Sequence, residues 1–391
     1  MILFLHNRYR TTGGEERVVD ELVALVRELL GEPVELLTRD SAGLGKARAA
    51  AGLVRGGLSP RDVARAVRLT GARAVHAHNL NPSFGWRALA AARSEGARAV
   101  LHLHQYRLVC ATGVCFTDGA QCTRCHGRNT LPGVIHNCRG SRSEALAYAA
   151  SLALWQRRLA EQADAVIVPS VFARERLREL GAPLDFGRVH VLPPPVLVAG
   201  QADGGDSPAV ISSRAGSTGP ASGTYALVVS RLAPEKGVDV AIEACRIAGV
   251  PLVVAGDGPD LEALRGGADV RFLGRVDDVE LKRLREGAAI AIVPSRSAET
   301  FGMAAAEAMA AGVPVVASRI GALPELVEEQ CLVEPGDHEA FAEAIKRLWG
   351  DSEAGERGRE RVRERCSPQK VAEGLATVYG TNLSSGVGPG Q

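Results

Sequence analysis

No apolar run in the sequence approaches the roughly 18 residues that a membrane-spanning helix needs, which excludes an integral helical membrane protein. The first ten residues, MILFLHNRYR, show neither a basic leader nor a small-residue cleavage site. A secretory signal is therefore not expected, and the cytoplasm is the expected compartment. Net charge is nearly absent, at +1 over 391 residues, and no nucleic-acid partner is expected of so balanced a chain. A complete dinucleotide fingerprint is missing as well. The stretch GLGKARAAAG (43–52) has two glycines but no third at the required offset, and it follows no clear strand; a dinucleotide oxidoreductase is thereby excluded. Lysine is almost missing from the first half, where Lys46 is its single instance up to Gly200.

A chain of 391 residues is too long for one comfortable core and fits two domains, and 46% hydrophobic with 23% charged residues is a globular composition. The near-zero net charge conceals a split. Residues 1–200 hold 26 Arg plus Lys against 17 Asp plus Glu, a net of +9, and the remainder holds 20 against 28, a net of −8. Basic surface in one half suits an anionic acceptor or peripheral contact with an anionic inner membrane face. It suits equally a contact between halves of opposite sign.

Short β-like runs alternate with helical patterns. ILFLH (2–6), VELLT (34–38), AVHAH (74–78), AVLHLH (99–104), DAVIVPS (164–170) and VHVLPPP (189–195) mark the first half. YALVVS (225–230), PLVVAGDGP (251–259), VRFLG (270–274), AIAIVPS (289–295) and GVPVVAS (312–318) mark the second. Such alternation implies βαβ units and parallel sheets. The expected organisation is a Rossmann-like domain over 1–200, a flexible Gly/Ser/Ala/Pro linker over 201–223, a second Rossmann-like domain over 224–365, a terminal helix over 366–380 and a disordered tail over 381–391. Ligands of open parallel sheets bind at the carboxyl ends of the strands, so a cleft between two such domains is the natural site.

In the second half, SRLAPEKG (230–237) presents Arg231 and Lys236 in the loop after a strand, which suits a phosphate or diphosphate; a solvated surface loop is the plain alternative. AETFGMAAAEAMAAGVPVV (298–316) carries Glu299 and Glu307. Were the segment all helix, eight residues would set the carboxylates about 12 Å and roughly 80° apart. A helix starting near Phe301 instead places Glu299 before it and Glu307 inside it. The first-turn amides of Gly302 and Met303 then form the positive end of the helix dipole. A nucleotide sugar, with a diphosphate between two hydroxyl-bearing groups, fits such a site.

SRLAPEKG, VVAGDGP, VRFLGRV and PSRSAETFGMAAAEAMAAGVPVVAS resemble, in order and spacing, the carboxyl-terminal domain of family 4 glycosyltransferases, from Tyr225 to Glu334. The resemblance implies the α/β GT-B fold, two Rossmann-like domains facing across a cleft. It implies a retaining transferase taking a UDP- or GDP-linked sugar to a hydroxyl acceptor: a saccharide, a lipid-linked saccharide or a small molecule, as in cell-surface polysaccharide or glycoconjugate biosynthesis. By the same resemblance Glu299 contacts the donor sugar, Glu307 the ribose, and Arg231 and Lys236 the diphosphate. The backbone at Phe301, Gly302 and Met303 adds to that grip, and Gly274 and Arg275 lie in the base-binding loop. Charge on the leaving diphosphate is then met by cations and a helix end, so no divalent metal is required.

HNRYRTTGGEERVV (6–19) resembles the N-terminal loop of a subgroup of the family, with Gly13 and Gly14 letting backbone approach a ligand and an acid at Glu16. In LHLHQYRLVC (101–110), His104 ends a strand at the expected cleft, and the resemblance sets it beside the donor sugar. His102 is expected to point into the sheet interior or to its other side. Of His76, His78 and Asn79, one or two are expected at the acceptor pocket, with Asn79 the candidate contact.

Five of the eight cysteines lie between Cys110 and Cys138, with Cys122 and Cys125 in a Cys-x2-Cys knuckle. In a cytosolic chain this favours metal over disulfides. The resemblance extends to cysteine-bearing insertions matching Cys110, Cys122, Cys125 and Cys138, which implies a structural zinc on those four and leaves Cys115 outside; buried or redox-active thiols are the alternative. Cys245, Cys331 and Cys366 read as small hydrophobes. Two other functions suit the same architecture: an epimerase or hydrolase of nucleotide sugars, and a non-catalytic nucleotide-sugar binder.

Overall fold

The computed structural model describes residues 1–9, 14–198, 223–265 and 270–381. The expected linker lies outside the described residues except for Gly223, and the expected tail except for Thr381. Two compact units emerge: unit 1 comprises Met1–Pro195 with Pro368–Gln391, and unit 2 comprises Val196–Ser367. The boundary thus falls before Val196, whose amide donates to the Cys366 carbonyl within unit 2 at 2.8 Å. The C-terminal helix Pro368–Tyr379 is not a free-standing piece but part of unit 1.

The strands are β1 Ile2–Arg8, β2 Val34–Asp40, β3 Ala74–Ala77, β4 Arg98–His102, the two-residue strands β5 Phe116–Thr117 and β6 Ala120–Gln121, β7 Ala165–Val168, β8 Val189–Val191, β9 Tyr225–Val229, β10 Leu252–Ala255, β11 Val270–Gly274, β12 Ala288–Val293, β13 Val315–Ser318 and β14 Leu332–Val333. Unit 1 carries the order β2-β1-β3-β4-β7-β8 and unit 2 the order β11-β10-β9-β12-β13-β14. All pairs in both sheets are parallel. AVIV in β7, LVVA in β10 and AAIAIV in β12 are buried throughout, because helices cover both faces of a parallel sheet. Each sheet reverses its strand order beside its first strand, between β1 and β3 and between β9 and β12. Those points open the crevice where ligands of such sheets bind.

Several helices had no clear signal in the sequence. Ser352–Cys366 is polar on most positions and interrupted by Gly355 and Gly358. The glycines are there for close packing: a Cβ on Gly355 would stand 2.1 Å from the Gly312 carbonyl oxygen. No helix among the described residues is long and apolar enough to cross a membrane.

The C-terminal helix begins with Pro368, whose missing amide costs nothing at a helix start, and buries Val371, Leu375 and Tyr379 among others. It is tied to the sheet of unit 1 by Arg73, donating to the Tyr379 carbonyl at 2.9 Å, and by Arg98, donating to the Val378 carbonyl at 2.8 Å. Leu375 is fully buried, so Leu375→Ala is expected to lower the stability of unit 1 by about 2–5 kcal/mol. Urea unfolding in a Trp349→Phe background, which leaves Trp86 and Trp155 of unit 1 as reporters, measures this; an unchanged midpoint would show that the helix is not part of that unit.

Candidate active site

In unit 2 the loop following β9 and the loop following β12 are stitched together by backbone. The amides of Arg296 and Ser297 both donate to the Glu235 carbonyl, at 2.9 and 3.1 Å. Gly237 makes the approach possible: its φ is +63°, and a Cβ there would lie 2.1 Å from the Pro294 carbonyl oxygen. This seam sets Lys236 against Glu299, with Nζ donating to Oε1 at 2.6 Å, while the Ser295 hydroxyl donates to the same oxygen at 2.7 Å. Burial pushes the Glu299 carboxyl up, but the charge of Lys236 and the two hydrogen bonds outweigh it and hold the group below its ordinary range. The Ala322 amide donates to the Glu299 carbonyl at 2.9 Å and fixes its backbone.

The helix then runs Met303–Ala310, with Gly302 as a left-handed N-cap at φ 105° and no side chain capping that end. Phe301 is buried. The helix starts two residues later than expected, and Glu299 and Glu307 fall on the anticipated sides of its beginning. Each meets a cation of the protein itself. Glu299 and Lys236, assigned to separate parts of a ligand, grip each other. Glu307 forms an ion pair with Arg285, both side chains about seven-eighths buried at 12% and 13% exposure. Sequence reasoning missed Arg285 and Ser295; an arginine in the helix Asp278–Glu286 looks like any solvated helix charge. Arg231 is 64% exposed and 3.4 Å from Glu235. Gly274 ends β11, two strands from β9, at φ +68° with open space beside it, and Arg275 follows it exposed.

In unit 1 the carboxyl ends of β3 and β4 carry four imidazoles in two rows. His76 Nε2 lies 3.1 Å from His102 Nδ1 with the rings 13° from coplanar, and His78 Nδ1 lies 2.8 Å from His104 Nε2 at 15°. The rows stack, with centroids 4.6 Å apart for His76 on His78 and 4.2 Å for His102 on His104. His102 is buried, and it shares a face with His104 rather than lying on the other side of the sheet. Residues i and i+2 of an extended strand share a face, and the pairs 76/78 and 102/104 obey that period. At the far end Tyr379 Oη lies 2.6 Å from His76 Nδ1. With the phenol donating, the His76 proton sits on Nε2 and passes its hydrogen bond to His102.

Burial lowers all four imidazoles. His76 falls to about 3, His78 and His102 fall well below the ordinary histidine value, and His104 is lowered by burial against the opposing pull of Glu15 and Glu16. Nitrogens of His76, His78 and His102 lie within 4.8 Å of one another, a spacing a metal could use. Nitrogens from each of the three are, however, already engaged in the rows.

A cavity of about 70 Å³ opens beside them, lined by Tyr9, Glu15, His78, Asn79, His102 and His104 among others. Tyr9 Oη donates to Glu15 at 2.7 Å, and its amide donates to Glu16 at 3.1 Å. Asn79, expected as an acceptor contact, lines this cavity and also ties the switch point together: its Nδ2 donates to the Asn7 carbonyl at 2.7 Å, and its Oδ1 accepts from the Asn81 amide at 3.3 Å. Gly14 begins the helix Gly14–Glu28, exposed and with open space around it; Gly13 lies outside the described residues. Cys110, Cys122, Cys125 and Cys138 ring a separate cavity together with Cys115, which the sequence pattern had left out.

Comparisons with known proteins agree with this architecture. Residues 13–195 match the glycosyl transferase 4-like domain, and residues 213–365 match glycosyl transferases group 1. The chain belongs to this glycosyltransferase family and has the GT-B class of fold. Glycogen synthase of Mycobacterium tuberculosis is 36% identical over 181 residues, 41% of this chain and 43% of that protein. Phosphatidyl-myo-inositol mannosyltransferase of Mycobacterium leprae is 36% identical over 170 residues, 39% of this chain and 45% of that protein. The chain thus spans less than half the length of these curated relatives. Among solved structures, sucrose-phosphate synthase of Thermosynechococcus elongatus superposes with a TM-score of 0.65 at 20% identity, covering 97% of this chain and 98% of that one. HepE of Anabaena, in complex with UDP and glucose, superposes with a TM-score of 0.59 at 18% identity, covering 97% and 99%.

Neutral buried imidazoles carry a pH signature. An unfolded histidine takes up a proton near pH 6.5, whereas folded His76 stays neutral down to about 3. The unfolded chain binds more protons in that window. Stability from this group is therefore complete above about pH 6.5 and is lost as pH falls toward 3, at about 1.4 kcal/mol per pH unit. Urea unfolding between pH 7 and 5 is expected to show this acid limb, and His76→Phe to flatten it by about one proton. Equal slopes in both proteins would contradict the buried neutral state.

Proposed function

We propose that this chain transfers a sugar from a nucleoside diphosphate sugar to a hydroxyl acceptor, with retention at the anomeric carbon. The observation that carries the reading is the carboxyl edge of the second sheet. At its switch point a lysine, a half-buried ionised carboxylate and a helix N-terminus without a side-chain cap occupy neighbouring loops. A diphosphate is the ligand chemistry such a combination favours. A structural relative holding UDP and glucose supports a uridine donor.

In this reading Lys236 and the first-turn amides of Met303–Ala310 meet the diphosphate, with Arg231 as the exposed outer cation. Glu299 accepts hydrogen bonds from sugar hydroxyls while keeping Lys236 in position. Glu307, oriented by Arg285, accepts from the ribose hydroxyls, as an ionised carboxylate can. The bond from the anomeric carbon to the diphosphate oxygen breaks and its electron pair leaves with the diphosphate. The acceptor oxygen bonds to that carbon from the same face, and its proton passes to the departing phosphate oxygen. Cations and dipoles placed before the reaction lower the barrier because they need no reorganisation as charge develops. His104, held by His78, offers a neutral ring to a ligand rather than a charge.

Three measurements test the assignment. UDP, GDP and ADP are titrated in thermal unfolding, where the nucleotide of the donor is expected to stabilise by about 2.7 kcal/mol at a hundredfold excess over Kd; no response to any of the three would remove the donor site. Lys236→Ala and Glu299→Ala are each expected to lower kcat by about 10²–10³-fold. Glu307→Gln is expected to raise the donor KM roughly tenfold, the weight of one hydrogen bond to a charged group, with kcat little changed. Near-normal turnover in Lys236→Ala would overturn the leaving-group role. Free sugar or an epimer formed without acceptor would favour the hydrolase or epimerase reading, and nucleotide binding without turnover the non-catalytic one.

A further inference from the structure

Exposed apolar side chains in this molecule are not scattered. Among the described residues ten large ones are exposed, and five of them, Val54, Leu131, Ile135, Leu146 and Leu154, lie on or against one helix of unit 1, Arg142–Glu161. The helix buries Ala145, Ala149, Leu152 and Gln156 at helical spacing, so Leu146 and Leu154 are surplus to its core face. The short helix Leu131–Ile135 packs against it, and the preceding Thr130 donates its hydroxyl to the Ala149 carbonyl at 2.8 Å. On the other flank the helix Lys46–Arg55 ends at Gly56, in a left-handed cap at φ 69°. Glycine is required there, because a Cβ would stand 2.2 Å from Trp86 Nε1 and 3.3 Å from Trp155 Cδ2. The two indoles therefore meet, with centroids 5.9 Å apart, and Trp155 Nε1 donates to the Val54 carbonyl at 2.9 Å.

Arginines accompany these side chains. Arg55, Arg87, Arg128, Arg142, Arg157 and Arg158 are all exposed. Arg87 donates its amide to the Gly56 carbonyl at 3.2 Å, Arg128 donates Nε to the Ala153 carbonyl at 3.0 Å, and Arg158 lies 5.3 Å from the centre of the Trp86 ring. Negative charge does not balance them. Glu144 and Glu161, the two acids of the helix Arg142–Glu161, are already paired with Arg139 and Arg157. Leu131, Leu146 and Ile135 are 60%, 60% and 71% exposed, and clustered apolar surface of that kind marks a contact rather than an unfinished core. The partner that fits offers apolar depth and negative charge over one broad surface. An anionic bilayer does so: aliphatic side chains reach the acyl boundary, indoles settle among the headgroups, and arginines meet the phosphates.

We propose that this face of unit 1, centred on the helix Arg142–Glu161, docks on an anionic membrane surface. Arg55, Arg87, Arg128, Arg142 and Arg158 supply the long-range attraction, which salt weakens. Leu131, Ile135, Leu146, Leu154 and Val54 supply the apolar contact that holds the docked state. Trp86 and Trp155 also line the cavity beside the histidine rows, so the docking face borders that cavity. The proposal is independent of the transferase reading, and its test uses no turnover.

The full chain is sedimented with vesicles of phosphatidylcholine alone and of phosphatidylcholine mixed with phosphatidylglycerol, at low and at high NaCl. The expected result is binding to the anionic vesicles only, released by salt. Arg55→Gln combined with Arg142→Gln is expected to weaken that binding by about 25-fold, about fivefold for each cation. Leu146→Ser combined with Leu154→Ser should weaken it at least about tenfold, and Arg283→Gln, in unit 2, should match the wild type. In a Trp349→Phe background the emission of Trp86 and Trp155 should move to shorter wavelength when anionic vesicles are added. No binding to either vesicle, equal binding to both, or undiminished binding in the Arg55→Gln, Arg142→Gln chain would overturn the proposal. These substitutions fall on exposed side chains, and their urea midpoints should equal that of the wild type. Should one of them unfold, the lipid and salt dependence of the wild-type chain and its tryptophan shift decide.

Discussion

A carboxylate taken out of water stays ionised only if a cation and hydrogen-bond donors replace the solvent it has lost. Glu299 meets that condition through Lys236 and Ser295, and the local architecture of unit 2 follows from the need to keep the three together. Lys236 comes from the loop after β9, whereas Ser295 and Glu299 come from the loop after β12. The two strands are neighbours because the sheet reverses its order there. The seam between the loops is made of backbone, through Glu235, Arg296 and Ser297, so it tolerates no side chain at Gly237. Removing one charge would leave the other half-buried without its partner, which costs more than the pair contributes while intact.

The first unit solves the opposite problem. Its polar groups at the strand ends are neutral, and they are stabilised by being paired edge to edge and stacked face to face. Phe4 extends the stack below, with centroids 4.8 Å from His76 and 5.5 Å from His78. The far end of one row is closed by Tyr379, a residue of the last helix. That helix is thus part of the site's support as well as of the core: its phenol hydrogen-bonds the end of one row, and the neighbouring row reaches the cavity at His104. Neutral rings of this kind donate and accept hydrogen bonds without attracting counter-ions.

Much of this was legible in the residues because the signals were local. Alternating apolar runs located the strands of both sheets to within a few residues, except the two-residue edge strand β14, and the Glu299-to-Glu307 stretch placed a helix start between its two acids. What stayed illegible depends on contacts between distant positions. Nothing in the spacing shows that Glu307 faces Arg285 or that Lys236 faces Glu299, since each pair is made by packing two loops or a loop and a helix. The membership of the last helix rests on contacts such as Tyr379 with His76 and Arg73, some three hundred residues away. His102 could have been placed correctly, because a period of two fixes the shared face of 102 and 104 without any tertiary knowledge. Ser352–Cys366 was hidden for the reverse reason: its glycines look like a loop signal, yet they serve the close approach of the helix to Gly312 and Met309.

The two switch points therefore set one strand geometry in contrasting electrostatic states. In the second sheet the N-terminus of a helix without a side-chain cap and a lysine gather positive potential, and the ionised Glu299 partly offsets it. In the first sheet burial disfavours the charged form of His76, His78, His102 and His104, with Glu15 and Glu16 drawing the potential the other way at His104. This division is local to each sheet. It arises because carboxyl-end loops rich in glycine and polar residues can hold charge near water, whereas the histidine face of β3 and β4 is closed by the terminal helix and cannot.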